Sequence, residues 1–287
     1  MLEIENLTKT YPSFTLDNVS FHLPKGYIMG FIGVNGAGKT TTLKSIMNIV
    51  QPDSGTVRVF GKNMTGNEVE LKQHIGFMLG GADYYLKTKI KTVTKVIRSF
   101  YEDWNQKTYE FYLKRFHIDD NKKVGDLSSG MRVKLAMAYA LSHRAKLFIF
   151  DEPTSGLDPL ARDEMLDLFH EIVEDGEHSI LFSTHITSDL DKIADYIVMI
   201  KDGKIVANAT KDDLIASHVL VSGKRLDLTE DLKTRLINYK LNAFGFVGLM
   251  KRNDINSSDE TKKEIPNLED IMIYYNREAQ SDEKPIL

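Results

Sequence analysis

The chain contains 287 residues, of which 42% are hydrophobic and 27% are charged, as is usual for a globular protein. Its net charge of −4 gives no electrostatic reason to expect nucleic-acid binding or attachment to an anionic membrane surface. The absence of cysteine excludes disulfides, thiolate metal sites and cysteine nucleophiles. The N-terminal "MLEIENLTKTYP" lacks the apolar segment of a secretory signal, and no run approaches the roughly 18 apolar residues of a spanning helix. If the protein acts at a membrane, we expect another chain to span it.

The first predicted elements are two strands, "LEIENLTKTY" and "FTLDNVSFHL", which a Pro-Ser turn joins into an antiparallel pair. Four short apolar runs predict strands buried on both faces of a parallel sheet: "YIMGFIG" at 27–33, "KLFIFD" at 146–151, "SILFST" at 179–184 and "YIVMI" at 196–200. Two stripes at helical spacing lie between these runs: Leu43, Ile46, Met47 and Val50, and Met165, Leu168, Phe169 and Ile172. This alternation predicts an α/β fold with a mostly parallel sheet, and "KDGK" at 201–204 predicts a hairpin turn.

Residues from about 82 to 126 interrupt the alternation. Two apolar stripes predict two amphipathic helices there: Val93, Val96, Ile97, Phe100, Tyr101 and Trp104 form the first, and Tyr109, Tyr112, Leu113 and Phe116 form the second. We interpret the aromatic residues as the core of a small subdomain rather than as a ligand site.

After residue 205 the pattern weakens. "SSDETKK" at 257–263 predicts a solvated loop, and the tail "AQSDEKPIL" is expected to fray. "NLEDIMIYYNRE" predicts a last helix at about 267–277, with Asn267 as its N-cap and Asp270 at the third helical position.

The strongest chemical motif is "GVNGAGKT", which matches G-x-x-x-x-G-K-[ST] between a buried strand and a helix. Glycines allow the backbone to wrap a phosphate with its N–H groups, and the following helix directs its positive end to the same place. Lys39 can reach the outer phosphates, and the Thr40 hydroxyl can hold Mg²⁺. The predicted nucleotide contacts are Gly33, Asn35, Gly36, Ala37, Gly38, Lys39, Thr40 and Thr41.

A second motif is "KLFIFDEPTSGLD", in which two carboxylates follow four apolar residues. Asp151 and Glu152 therefore lie where a buried parallel strand ends, which is where open α/β sheets place their ligands. Asp151 is predicted to hold Mg²⁺ directly or through water, and Glu152 to orient or deprotonate the attacking water.

A third motif is "DLSSGMRVKLAMAYAL", in which Ser128 or Ser129 can cap a helix that begins near Gly130. This is either an ordinary capped helix or a second anion-binding helix end, about ninety residues after the first. One chain seldom needs two such ends for one triphosphate.

From about residue 2 to residue 210 the chain resembles the ATP-binding subunits of ABC transporters. "GVNGAGKT" matches the Walker A loop and "LFIFDE" the Walker B strand, while "LSSGM" is similar to the family signature, usually Leu-Ser-Gly-Gly-Gln. "SGLD" resembles the D-loop, and "FSTH" the switch segment that ends in His185. The resemblance implies a P-loop NTPase fold with an N-terminal antiparallel β subdomain and an inserted helical subdomain at about 82–140. Residues 211–287 are then a C-terminal extension.

The resemblance also implies a head-to-tail dimer of ATPase domains that uses ATP and Mg²⁺. Each ATP would lie between Lys39 and Thr40 of one protomer and the partner's signature. The remaining assignments that it implies are Tyr11 for stacking on adenine, Ser128, Ser129 and Gly130 for the signature, Asp158 for communication between the two sites, and His185 for contact with the γ-phosphate and the attacking water. The signature departs from the family pattern, because Ser129 replaces a glycine and Met131 replaces the glutamine.

The function implied by the resemblance is ATP hydrolysis that powers transport through separate integral-membrane subunits, with the chain held at the cytoplasmic face of the cell membrane. The last predicted helix is similar to that of bacterial exporter subunits for peptides, antibiotics or drugs, which favours export. The alternative is a soluble, non-transport ABC ATPase that acts on ribosomes or DNA. Such members carry tandem ATPase domains or long coiled coils, which this chain lacks. A nucleotide-gated module that hydrolyses ATP poorly is disfavoured by the intact motif residues.

One family residue is missing from "GFMLGGADYY". Alignment to the family's Q-loop puts Gly80, or Gly81 with a shift of one residue, where a glutamine usually reaches Mg²⁺ and the attacking water. Our hypothesis is that water or Asp83 takes this position. The alternative is that Asp83 is a plain loop residue. Tyr84, Tyr85 and Leu86 are expected to face the coupling helix of the membrane subunit.

Overall fold

The computed structural model describes residues 1–80, 85–256, 259 and 261–277. The strands are β1 (Leu2–Tyr11), β2 (Phe14–Leu23), β3 (Ile28–Ile32), β4 (Ser54–Val59), β5 (Lys62–Asn63), β6 (Ile75–Leu79), β7 (Leu147–Asp151), β8 (Ser179–Thr184), β9 (Tyr196–Lys201), β10 (Lys204–Thr210), β11 (His218–Gly223), β12 (Leu236–Asn242), β13 (Gly245–Lys251) and β14 (Lys262–Glu264). The α-helices are α1 (Lys39–Ile46), α2 (Glu68–Lys72), α3 (Ile90–Arg98), α4 (Gln106–Arg115), α5 (Ser129–Ala140), α6 (Pro159–Val173), α7 (Thr187–Ile193), α8 (Lys211–Ala216), α9 (Glu230–Arg235) and α10 (Leu268–Asn276). Among these helices, none has the length and apolar character needed to cross a membrane.

The central sheet has the strand order β10-β9-β3-β8-β7-β6. Its strands pair in parallel except for β10, which joins β9 as an antiparallel hairpin. Asp202 and Gly203 form the hairpin turn with φ values of 48° and 77°, as left-handed two-residue turns require. The predicted α/β fold, its parallel strands and the "KDGK" hairpin are therefore confirmed.

The two faces of the central sheet are covered by different layers, because successive side chains of a strand point to opposite faces. In β3, Met29 and Phe31 join a core cluster with the N-terminal antiparallel sheet and α1, whereas Ile28 and Ile32 join the cluster that includes α5, α6 and α7. The N-terminal sheet has the order β2-β1-β4-β5, and its first two strands confirm the predicted pair. A side chain at Gly30 would meet Leu190 Cδ2 at 2.0 Å, so glycine allows α7 to pack directly on the sheet.

The inserted helical segment differs from its prediction at one place. Helices α3 and α4 exist, but α3 ends at Arg98, so the interpretation of Phe100, Tyr101 and Trp104 as part of its stripe was wrong. The cause is a set of hydrogen bonds to the rest of the protein: Gln73 Nε2 donates to the carbonyl of Phe100, and the N–H of Glu102 donates to Gln73 Oε1. These bonds hold the segment after α3 as a connector rather than as further helical turns.

The C-terminal region forms a second antiparallel sheet, with the order β12-β13-β11-β14, which the sequence patterns did not predict. One face packs its own apolar cluster of Val219, Val221, Leu232, Leu236, Phe246 and Met250. On the other side, α10 contacts α7, and Ile271 is fully buried in the core shared with the ATPase body.

Local predictions for this region had mixed outcomes. The capping box of α10 is confirmed, because Asn267 Oδ1 accepts from the N–H of Asp270 and Asp270 Oδ2 accepts from the N–H of Asn267. The prediction of a loop at 257–263 was wrong at its C-terminal end, where Lys262 and Lys263 belong to strand β14 and pair with β11. Its positions 257, 258 and 260, and the tail from 278 onward, lie outside the described residues.

Candidate active site

The glycine-rich loop follows β3 directly and leads into α1. Gly36 and Gly38 have φ values of 83° and 114°, a region that favours glycine, and a side chain at Gly33 would lie 2.5 Å from the carbonyl oxygen of Ile200. The loop is supported from the β9–β10 turn, because the N–H of Gly203 donates to the carbonyl of Ala37 at 3.0 Å. No side chain caps the N-terminus of α1, which leaves its first N–H groups directed at the loop.

Lys39 is the buried cation of the site, with only 6% of the residue exposed. Its Nζ donates to the carbonyl of Gly33 at 2.7 Å and lies 3.2 Å from Glu152 Oε1. The ammonium group is therefore held at the mouth of the loop by one carbonyl and one carboxylate. A phosphate group would offer it stronger acceptors at the same place.

The two carboxylates at the end of β7 point to different partners. Asp151 Oδ2 accepts from the Thr40 hydroxyl at 2.7 Å, so the pair predicted for Mg²⁺ is brought together. Glu152 Oε2 lies 2.9 Å from His185 Nδ1, so the carboxylate bridges Lys39 and His185. Glu152 has a φ of 51°, which is unusual for a residue with a side chain and turns its carboxylate away from that of Asp151.

Lys39, Thr40, Glu152 and His185 line a cavity of about 340 Å³ at the carboxyl ends of the parallel strands, where open α/β sheets bind ligands. Asp151 is not among the lining residues but is hydrogen-bonded to Thr40, which is. The lining residues are Phe14, Asn35, Gly36, Gly38, Lys39, Thr40, Thr41, Glu152, Ser155 and His185. Phe14 and Ser155 were missed by the sequence analysis. A signal for Phe14 did exist, because it follows the Tyr11 strand after a tight turn and pairs with Tyr11 in the ladder.

Tyr11 is not among the cavity-lining residues. It lies at the end of β1 with 37% of its surface exposed, and Lys9 Nζ lies 5.9 Å from its ring centroid. Its predicted stacking on adenine stays a prediction.

The predicted second helix end lies outside this cavity. Ser128 is the N-cap of α5, since its hydroxyl accepts from the N–H of Met131 at 3.2 Å, and Ser129 is the first helical residue. Asp158 caps α6 by accepting from the N–H groups of Leu160 and Ala161. None of Ser128, Ser129, Gly130 or Asp158 is among the residues that line the cavity, so their predicted contacts with nucleotide stay predictions.

A buried polar network joins the segment after Glu152 to the helix after His185. Asp189 is 1% exposed, accepts from the Thr154 hydroxyl at 2.6 Å and forms an ion pair with Arg162 at 2.5 Å. Arg162 also donates to the Ser188 hydroxyl. The sequence analysis did not single out these residues, because an aspartate on a short helix resembles any solvated residue until its burial is known.

The strand that leads to the expected glutamine position is β6, at the edge of the central sheet. Gly80 follows it with a φ of 54°, and its N–H donates to the carbonyl of Asp151 at 3.2 Å. Gly81, Asp83 and Tyr84 lie outside the described residues, so the roles suggested for them stay predictions. Tyr85 and Leu86 are described and exposed.

Comparison with known proteins agrees with this geometry. A family model described as "ABC transporter" matches residues 16–155. The bacitracin transport ATP-binding protein BcrA of Bacillus licheniformis is 32% identical over 219 residues, which cover 75% of this chain and 71% of BcrA. The chain belongs to the family of ATP-binding subunits of ABC transporters. It therefore binds and hydrolyses ATP to power transport, and the comparisons give no support to a role on ribosomes or DNA.

Two further comparisons extend this result. A solved structure titled as the ATP-binding subunit of an ABC transporter superposes with a TM-score of 0.68 at 26% identity, covering 75% of this chain and 92% of that one. The ABC transporter ATP-binding protein YtrB of Bacillus subtilis is 27% identical over 287 residues, which cover 95% of this chain and 97% of YtrB. The similarity to YtrB therefore extends through the C-terminal region as well as the ATPase body.

Proposed function

We propose that this chain hydrolyses ATP in the cavity at the ends of β3, β7 and β8, and that hydrolysis drives export of a peptide, an antibiotic or a drug through separate membrane subunits. The observation that carries the ATPase site is the convergence of Lys39, Glu152 and His185 beside the Thr40–Asp151 pair. These groups follow the ends of three different strands, and Lys39, Thr40, Glu152 and His185 line one cavity.

The residues present fit Mg²⁺ as well as ATP. Thr40 and Asp151 offer two oxygen atoms, the ligand type that Mg²⁺ prefers, and they already share a hydrogen bond. Across the described residues, no group of three His, Cys, Asp or Glu side chains could hold a metal alone. Thr40 and Asp151 are the residues that would hold Mg²⁺, which in proteins usually binds one or two carboxylates together with substrate phosphates. When bound, the cation neutralises negative charge on the phosphates.

The side chains would then act in a fixed order. ATP phosphates in the loop would accept hydrogen bonds from backbone N–H groups and draw Lys39 away from Glu152. Glu152, still oriented by His185 Nδ1, would accept the proton of the attacking water. His185 would contact the γ-phosphate and hold it in line with that water.

A second ATPase chain would complete the site. The signature end of α5 is not among the residues that line the cavity of its own chain, and the N-terminus of a helix of this kind suits an anion. In a head-to-tail dimer, Ser128, Ser129 and Gly130 of one protomer would cover the ATP held by Lys39 of the other. Asp158, which caps α6, would communicate between the two sites.

The same comparison supports the proposed membrane partner and substrate class. BcrA is named for bacitracin transport, which favours a peptide antibiotic as the substrate class. The chain would work at the cytoplasmic face of the cell membrane, held there by integral-membrane permease subunits. Tyr85 and Leu86, both exposed beside the helical insertion, would face the coupling helix of that permease.

The test of the ATPase site is Glu152→Gln, which keeps the shape of the side chain but removes the base. Turnover should fall by about 10²–10⁴-fold, and ATP should trap a dimer that elutes ahead of the monomer in size-exclusion chromatography. Glu174→Gln, at the exposed end of α6, serves as the control and should behave as the parent protein. Unchanged turnover in Glu152→Gln would rule out this residue as the base.

The test of export uses inside-out membrane vesicles that contain this chain and the permease with which it copurifies. The ATPase site faces the outside of such vesicles, so export would appear as ATP-driven uptake of a labelled peptide antibiotic. The Glu152→Gln variant should abolish that uptake. Permease-stimulated hydrolysis without uptake of any peptide, antibiotic or drug would contradict the proposed direction and substrate class.

A further inference from the structure

Ser183 is a fully buried hydroxyl in β8, two residues before His185. In the parallel ladder it lies directly opposite Asp151 of β7 and Phe31 of β3. Side chains at paired positions of neighbouring strands project to the same face. The register of the sheet therefore places the Ser183 hydroxyl beside the carboxylate that is predicted to serve Mg²⁺.

Both hydrogen-bonding functions of this hydroxyl are used at the site. Its O–H donates to Asp151 Oδ1 at 2.5 Å, and its oxygen accepts from the N–H of Glu152 at 3.0 Å. Asp151 Oδ2 accepts from Thr40 at 2.7 Å. Each carboxylate oxygen of Asp151 thus has its own hydroxyl donor, and one rotamer of this side chain is favoured over the others.

The contact with Glu152 acts on the backbone rather than on the side chain. Glu152 has a φ of 51°, a conformation that residues with a Cβ adopt at a cost. Its N–H is shared between the Ser183 hydroxyl and the Ser183 carbonyl, at 3.0 and 3.2 Å. One residue of β8 therefore supports the strained turn that directs the Glu152 carboxylate towards His185.

We propose that Ser183 is a positioning residue of the ATPase, which fixes the Asp151 carboxylate and the backbone turn at Glu152 through one hydroxyl group. It touches neither nucleotide nor water in this role and acts through its two neighbours. The inference rests on the proposed functions of Asp151 and Glu152. Residues that orient metal ligands in this way typically change activity or metal affinity by about 10–100-fold when they are removed.

The experiment compares Ser183→Ala with Ser179→Ala in the full chain. Ser179 is the matched control, because it is a fully buried serine of the same strand whose hydroxyl accepts from the N–H of Gly26 and donates to the carbonyl of Pro24, at the opposite end of β8. We expect Ser183→Ala to lower kcat by about 10–100-fold, with KM for ATP changed by less than about threefold. Ser179→Ala should lower the stability of the protein without changing kcat or KM.

A second readout does not depend on turnover. A non-hydrolysable ATP analogue should raise the melting temperature of the parent protein more with Mg²⁺ than without it. This Mg²⁺-dependent increment should shrink in Ser183→Ala and persist in Ser179→Ala. If Ser183→Ala does not fold, Ser183→Thr keeps the hydroxyl and should retain both the increment and kcat within about threefold, since β-branched residues suit a strand.

The outcomes separate this inference from the proposed ATPase site. If Ser183→Ala matches Ser179→Ala in kcat and in the Mg²⁺-dependent increment, or if Ser183→Thr has lost both, Ser183 has only a structural role. If the Ser183 variants give that result while Glu152→Gln abolishes turnover in the same assays, the ATPase site stands and only the inference about Ser183 is overturned. If Glu152→Gln turns over normally, the site assignment itself has failed.

Discussion

Residues 1–210 and residues 211–277 both contain a sheet covered by helices, but the two regions use their buried positions differently. In the ATPase body, Lys39, Asp151 and Asp189 are charged side chains that are at least nine-tenths buried, and each contacts a partner near the nucleotide cavity. Within the described residues of the C-terminal region, His218 is the polar side chain in the core, and the other core residues are apolar. Burial of charge is costly without a function or a partner, so the contrast indicates chemistry in the body and packing in the C-terminal region.

The two regions meet along several elements, because α10 contacts α7 and β9, and α8 contacts β9 and β10. In α10, the carbonyl of Tyr275 accepts from Lys201 Nζ and its hydroxyl bonds to His218 Nε2 at 2.9 Å. The same helix packs on α7, which begins two residues after His185. The comparison therefore predicts that buried charges stabilise residues 1–210 and that apolar contacts of α10 stabilise the junction between the two regions. Exposed positions on the same helices should contribute little.

The largest expected effect on stability is at Asp189, which joins α7 to α6 through Arg162. Asp189→Ala leaves Arg162 and the Thr154 hydroxyl without their acceptor and should lower the free energy of unfolding by about 3–5 kcal/mol. Asp163→Ala is the matched control, because Asp163 joins the same two helices through Lys192 at an exposed position. It should cost at most about 1 kcal/mol. Equal losses in urea denaturation would contradict the role of burial.

Next in size is the junction between the regions. Ile271→Ala on α10 removes a fully buried side chain and should cost about 2–5 kcal/mol. Ile273→Ala, at a 45% exposed position of the same helix, should change stability by less than about 0.5 kcal/mol. Because α10 shares its core with α7, calorimetry of Ile271→Ala should show one transition at a lower temperature. Separate transitions for body and C-terminal region would show that they do not fold as one unit.

A smaller effect is expected at Gly80, where a glutamine can be restored. A Cβ atom there would meet no atom of the described residues within 4 Å, but the φ of 54° makes Gly80→Gln cost about 1–2 kcal/mol. Gly80→Asn should cost less, since asparagine tolerates this conformation. If the position serves the site, Gly80→Gln should also change ATP turnover or its stimulation by the permease. Unchanged values of both would mean that Gly80 serves only to bend the chain.

The smallest effect concerns pH. Burial lowers the pKa of His218, so the folded protein favours the neutral ring while the unfolded chain takes up a proton near its usual pKa of about 6.5. This contribution to stability is fully present above that value and is lost as the pH falls below it. Melting temperatures of His218→Gln should therefore decline less steeply between about pH 7.5 and 5.5 than those of the exposed control His22→Gln. Equal slopes would show that His218 does not contribute.

The body was predictable from sequence because its chemistry requires particular residue types at fixed spacing. Glycines at positions 36 and 38, Lys39, Asp151 and Glu152 were assigned from motifs. The structure places all of them except Asp151 around one cavity, and Asp151 accepts a hydrogen bond from the cavity-lining Thr40. Ser155, Ser183 and Asp189 were missed because each is an ordinary residue type whose importance depends on what lies across the sheet or the next helix. The C-terminal strands were missed because antiparallel pairing with both faces covered leaves no clear period in the sequence.

Local composition and spacing encode the phosphate loop, the strand that carries the two carboxylates, the switch histidine and the α/β order of the body. The fold was needed to show that α3 stops at Arg98, that residues 211–277 form a sheet docked through α10, and that Ser183 faces Asp151. These last features depend on hydrogen bonds and contacts between residues far apart in the chain. Many sequences can satisfy such contacts, so no short motif records them.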